Sequence, residues 1–152
     1  MHIISILREH LNNQVSEQLV DATHYGWAEQ FNNVAGRIAT PVSFLLTPTS
    51  YKLECDTITA REVGYFTVYF LTPQKQLDFD AVKNEELIDT MIPVAVDLIG
   101  RLKLDKRVHI EDIEVDSRSM YDANNKNLTG IMLKLRLKES QGWCLPAVEQ
   151  CR

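Results

Sequence analysis

Glycine is scarce in this chain, at six of 152 residues. Gly-x-Gly-x-x-Gly, the phosphate-cradling loop and the Gly-x-Ser-x-Gly elbow are all missing, so nucleotide cradling and elbow-type hydrolysis have no sequence support. Cysteine and histidine are sparse too: Cys55, Cys144 and Cys151, with His2, His10, His24 and His109. No Cys-x-x-Cys or His-Glu-x-x-His spacing occurs, which removes the usual zinc arrangements. Three cysteines without a framework of spacings fit a reducing compartment; in an oxidising one Cys144 and Cys151 form the candidate pair. Cys55 stands between Glu54 and Asp56. Neighbouring carboxylates disfavour a thiolate, so the surroundings are wrong for a nucleophile.

An excess of positive charge is also missing. The net charge is −5 and the sequence pI about 5.3, which argues against bulk binding to nucleic acid or an anionic membrane. No apolar run approaches the ~18 residues of a membrane helix. "MHIISILREH" has too short an apolar core for a signal peptide, and Arg8 and Glu9 close it. These features predict a cytoplasmic protein, where the glycosylation acceptor Asn127-Leu-Thr129 is idle. No cofactor or metal is expected. "DANNKN" begins like a calcium loop, with Asp122 and Asn124 correctly spaced, but Lys126 takes a ligand position.

What is present is ordinary globular material. Hydrophobic residues make up 45% and charged residues 24%. A single domain of this length buries roughly 68–70% of its unfolded surface and needs no staples. Ile3, Ile4, Leu7, Leu11 and Val15 recur at helical spacing and predict an amphipathic helix over about Ile3 to Asn13. Residues 16–40 are less regular and read as a long excursion anchored by Tyr25, Trp27 and Phe31. "PVSFLLTP" and "GYFTVYFLTP" read as strands ended by Thr-Pro, since proline cannot donate to a ladder. Between them, residues 51–63 either extend the sheet or form a long hairpin loop. Ile88, Met91, Ala95, Leu98, Ile99 and Leu102 mark one face of a central helix from Asp78 to Leu104. Pro93 should kink it or start a second segment. Acidic residues sit at its start and basic ones at its end, which complements the helix dipole.

The last third reads as a hairpin with its tip near Asp122–Asn127. Ile110 and Ile113 are out of phase for a regular strand, so a bulge is predicted near Asp112. "IMLKLRLKES" puts Ile131, Leu133, Leu135 and Leu137 on one face and Lys134, Arg136 and Lys138 on the other. Glu111, Glu114 and Asp116 of the preceding strand would face that basic stripe. Opposite charges across an antiparallel pair stabilise by roughly 0.2–1 kcal/mol each, so a cross-strand charge ladder is the simpler reading than a nucleic-acid stripe. The predicted fold is α+β: a mainly antiparallel sheet of about four to five strands, a bulged C-terminal hairpin, and two helices, N-terminal and central, packed against the sheet. Residues 1–140 form this domain and 141–152 a loose tail, in which Trp143 either caps the core or docks on a neighbour.

The order of these elements resembles the tail terminator and head–tail joining (tail-completion) proteins of long-tailed bacteriophages. "PVSFLLTP", "VGYFTVYFLTP", the Asp78–Leu104 helix and "IEVDSRSMYDANNKNLTGIMLKLRLKE" carry the resemblance, over about residues 3–139. It implies a non-enzymatic virion or prophage protein, found in the host cytoplasm and then in the virion. Such a protein forms a ring, commonly a hexamer, that ends the tail tube and meets the head connector. Ring formation needs head-to-tail contacts. The candidates are loop groups: Tyr51 and Lys52, Arg61 and Glu62, Gln74 and Lys75, and Arg118 and Tyr121. The competing readings are a standalone bacterial protein-binding or adaptor domain of the same fold with no virion role, and a dispersed enzyme site using His24, His109 or Cys55.

Overall fold

The structure, a computed structural model, describes residues 2–34, 37–48, 50–73, 81–121 and 127–145. The elements run α1 (His2–Ser16), β1 (Ala22–Gly26), α2 (Ala28–Val34), β2 (Val42–Leu46), β3 (Tyr51–Cys55), β4 (Thr59–Pro73), α3 (Ala81–Leu104), β5 (Val108–Tyr121), β6 (Asn127–Glu139) and β7 (Trp143–Cys144). The fold is α+β, with a seven-stranded mixed sheet ordered β1-β2-β4-β6-β5; β3 and β7 also pair with β4.

Three expectations change. First, residues 16–40 are not a long loop. They contain β1, parallel to β2, and α2, which makes the sheet mixed and adds strands beyond the expected count. The reason is burial: Phe31 is fully buried and stacks on Phe44 at 4.4 Å between centroids, and Phe44 stacks on Tyr69 at 5.8 Å. This cluster, with Val42, Leu71 and Leu128, forms a second, smaller core on the face of the sheet opposite α1 and α3. Second, α3 continues through Pro93 as one helix, so no second segment starts there; residues 78–80 lie outside the described residues. Third, part of the expected tail joins the sheet, because β7 pairs with Thr59 and Ala60 of β4. The candidate Cys144–Cys151 pair falls on Cys151, outside the described residues.

The main core is where the periodicities placed it. Ile3, Ile4, Leu7 and Leu11 of α1 and Met91, Ala95, Leu98 and Leu102 of α3 close over Phe66, Val68 and Phe70 of β4 and Ile131, Leu133, Leu135 and Leu137 of β6. Each of the larger of these side chains stabilises the fold by roughly 1.5–3 kcal/mol on burial, Ala95 by less. The N-terminal helix runs past Asn13 because Gln14 is itself buried, donating from Nε2 to the Val94 carbonyl (3.0 Å) and to Asp97 Oδ2 (3.0 Å). It then closes with a Schellman turn: Leu19 N–H donates to Gln14 O and Gln18 N–H to Val15 O, both at 3.0 Å, with Gln18 left-handed at φ 62°. The bulge falls where the phase change put it, between Ile110 and Asp112. β5 ends at Tyr121 and β6 begins at Asn127, so the hairpin tip lies outside the described residues.

Candidate functional site

Strand pairing fixes which residues share a face, since successive side chains alternate. On the face away from α1 and α3, Arg61, Tyr65 and Thr67 of β4 and Lys134, Arg136 and Lys138 of β6 form the middle columns. Lys52 and Glu54 of β3 flank them on one side, and Asp112, Glu114 and Asp116 of β5 on the other. The result is a basic centre with an acidic border on β5 and a mixed one, Lys52 beside Glu54, on β3. The Arg136 guanidinium lies over the Tyr65 ring at 5.7 Å.

The charge ladder has a different wiring from simple one-to-one pairing across the hairpin. Arg136 Nε lies 3.3 Å from Glu111, the bulged residue, although Asp112 is its partner in register. Lys134 reaches diagonally to Asp116 at 3.8 Å, with Glu114 directly opposite it. Lys138 turns the other way, over β4, and donates to Glu54 of β3 at 2.8 Å. That hydrogen bond, with the positive charges of Lys138 and Lys52, holds the Glu54 carboxyl below its ordinary range. Pairs this exposed to solvent add little to stability. Their effect is to neutralise the stripe.

The interface candidates separate. Tyr51, Lys52, Arg61 and Glu62 stand in strands β3 and β4 rather than in loops. Tyr51 is 45% exposed, and Lys52 is open with its ammonium 3.6 Å from Glu54. Arg61 is half-buried opposite Glu54. Glu62 is buried at 4% exposure, which removes it from the exposed set. Arg118 and Tyr121 lie in β5, also not in a loop, and Gln74 and Lys75 fall outside the described residues.

Glu62 belongs to an arrangement with no signature in the sequence. It and Glu139, 3% exposed, are cross-strand neighbours under the start of α1. The His2 backbone amide donates to Glu62 Oε2 at 3.1 Å. Glu139 Oε1 accepts from the Glu62 amide at 2.8 Å and from the Trp143 indole at 3.3 Å, while its Oε2 lies 3.1 Å from His2 Nδ1. Two acidic side chains thus cap the positive end of the helix dipole and tie β7 to it.

A second charged group closes the other side of the helix pair. Asp105 contacts His10 at 2.7 Å and Arg107 at 2.8 Å, and Arg107 also reaches Glu9 at 3.0 Å. The Arg107 guanidinium, then its backbone amide and His10, hold the Asp105 carboxyl well below the usual range against the opposing effect of burial. Arg101 pairs with Glu17 and with Asp97 (2.6 Å). Burial raises the Asp97 carboxyl, but hydrogen bonds from Arg101 and Gln14 outweigh it and the net shift is downward. A shallow basin of about 440 Å³ lies over His10, Asn13, Arg101 and Leu104 to Arg107, and both of its arginines are engaged in these pairs.

Large apolar side chains are exposed at two edges of the sheet, β3 and β5, and separately at Leu19, Trp27, Tyr65, Leu104 and Trp143; β1 is a further edge, paired only with β2 among the described strands. Among the described residues, β3 pairs only with β4 and β5 only with β6. On β3, Tyr51 and Leu53 (57% exposed) lie opposite Gly64 and Glu62, which places them on the helix face. At the β5 edge, Val115 is 51% exposed on the same face, opposite Leu133. Above it, α3 exposes Ile92 (41%) and Val96 (59%). These continue a stripe with Ile88 and Ile99 at helical spacing. Gln14 and Glu17 of α1 meet α3 through Val94, Asp97 and Arg101, on its other flank. The apolar stripe therefore overhangs β5. With Ile110 and Ile113 it lines a trough beside an unpaired backbone edge.

His24 and His109 lie on β1 and β5, opposite margins of the sheet, and Cys55 is exposed at the end of β3. They do not converge on one site. Among the described residues no group of three or more His, Cys, Asp or Glu is arranged to hold a metal ion, and no helix is long and apolar enough to cross a membrane. No protein-family model matches the chain, and no curated protein matches it.

Proposed function

We propose that this chain is a structural, non-enzymatic subunit that assembles with copies of itself into a ring. The role it fits is that of a bacteriophage or prophage tail-completion protein, ending the tail tube and joining it to the head connector. The observation that carries the reading is a set of exposed large apolar side chains at the β3 and β5 edges, Tyr51 and Leu53 on one, and Val115 with Ile92 and Val96 of the neighbouring α3 on the other. Clustered apolar exposure of this kind marks a surface that another protein covers, and an open strand edge is a template for pairing. The element order behind the tail-terminator resemblance supports the same role.

The test is the solution mass across a concentration series, by native mass spectrometry or light scattering, followed by mixing with tail tubes. The expected result is a mass rising toward six times the 17.4 kDa subunit, and tubes that stop growing when the protein is added. A monomer at every concentration that leaves tube growth unchanged refutes the reading. One observation favours a second function: the trough beside β5 also has the form that takes an extended segment from an unrelated protein by strand addition. A stable monomer that captures one such segment would make the chain an adaptor with no virion role.

A further inference from the structure

We propose that the β3 edge of one subunit adds to the β5 edge of the next, joining the sheets of neighbouring copies into one continuous sheet. The proposal rests on the self-assembly reading above and names the two surfaces that meet. Three features carry it.

The first is apolar complementarity. In-plane strand addition keeps like faces together. Tyr51 and Leu53, on the helix face of β3, then enter the trough formed by Val115, Ile113, Ile92 and Val96 of the neighbour. Each edge supplies what the other leaves uncovered.

The second is charge. Lys52 projects from the opposite side of β3, and beyond its 3.6 Å contact with Glu54 its side chain is 66% exposed. Addition to β5 brings it alongside Asp112, Glu114 and Asp116. Glu54 projects on the same side but is already held by Lys138 of its own subunit at 2.8 Å.

The third is the failure of the symmetric alternatives. Pairing β5 with β5 sets Asp112, Glu114 and Asp116 against their own copies, and like charges directly opposite are destabilising. Pairing β3 with β3 leaves the trough open. Of these three pairings, the unlike one alone satisfies both the β3 and β5 edges, and an unlike, head-to-tail contact is the kind that closes into rings.

The experiment uses two variants, Leu53→Glu on the β3 edge and Val96→Glu on α3 beside the β5 edge. Both positions are more than half exposed, and matching thermal melts establish that each variant is folded. Wild-type protein is expected to assemble, each variant alone to be monomeric, and an equimolar mixture to give heterodimers and nothing larger, because the mixture retains one working pair of edges. Variants that keep the wild-type ring mass would place the contact elsewhere, overturning this inference while the ring reading stands. Monomeric variants whose mixture stays monomeric would overturn the unlike pairing. Wild-type protein that is monomeric at all concentrations would overturn the direct contact, and the tail-tube experiment then decides the ring reading separately.

Discussion

Gly130 stands at the entry of β6, opposite Leu71 of the central strand β4. A methyl group built on it would lie 1.9 Å from the Phe70 carbonyl oxygen, 2.9 Å from the Phe70 carbonyl carbon and 3.1 Å from the Leu71 Cα. All three are backbone atoms, so no rotamer change relieves the contact. An ordinary carbon–oxygen approach between strands is about 3.3–3.6 Å, so Gly130→Ala must push the strands apart by more than about 1 Å. That breaks one or two ladder bonds at about 1 kcal/mol each and forces an overpacking shift of about 1–3 kcal/mol. The expected loss is about 2–5 kcal/mol. With a urea slope of about 2 kcal/mol per molar, the unfolding midpoint falls by about 1–2.5 M. Gly100→Ala is the matched control. Gly100 is exposed within α3, and nothing lies within 4 Å of the added methyl. There alanine should stabilise by about 0.5–1 kcal/mol and raise the midpoint by a few tenths molar. Urea unfolding followed by circular dichroism measures both. A Gly130→Ala midpoint within about 0.3 M of wild type would refute the close approach of β6 to β4.

Phe31→Ala should cost about 3–5 kcal/mol, because it removes the ring that seals the smaller core against Phe44; an unchanged melting curve would mean that α2 does not close that face. Asp105 titrates lower in the folded chain than in the unfolded one. Its stabilisation is therefore fully present above the ordinary carboxylate range near 3.9 and is lost as pH falls below it; Asp105→Asn should lower the melting temperature at pH 7 and flatten its decline between about pH 4 and 2, which a pH series of thermal melts would check. Gln18→Gly should stabilise by about 1 kcal/mol, since glycine carries no penalty at the left-handed closing position of α1, and a lower urea midpoint would contradict that assignment. Lys134→Ala should change stability by less than about 1 kcal/mol and leave nucleic-acid binding at background in filter or anisotropy assays; salt-dependent binding that this substitution weakens would mean that the stripe is not neutralised by its acidic neighbours.

The elements legible in the sequence were those whose burial is one-sided. β6 alternates between a buried aliphatic face and a charged one, and the phase slip between Ile110 and Ile113 marked its partner's bulge. α1 and α3 showed their core stripes for the same reason. β1 and α2 were missed because their burial is carried by few residues: the four residues before Gly26 in β1 are all half-buried, and α2 is seven residues long with Phe31 as its buried anchor. Three aromatics over such a stretch give no period to read. The interface candidates are loop groups in the sequence reading, yet those among the described residues stand in strands. Residue type does not distinguish Lys52, which is open, from Glu62, which is buried under the start of α1.

By itself the sequence determined the hydrophobic faces, the hairpin with its bulge, and the absence of ready-made catalytic or metal spacings, because each is a local property of residue type and period. Tertiary structure alone decided where charges and exposed apolar groups meet. Lys138 turned to Glu54 across β4 rather than into its own hairpin, and Glu62 and Glu139, far apart along the chain, came together under a helix end. Ile92, Val96 and Val115 became an uncovered trough because α3 overhangs β5 at the margin of the sheet, with no described strand beyond it. Those outcomes depend on which strand neighbours which, and strand order is set by the closing of the whole core, not by the composition of any one strand.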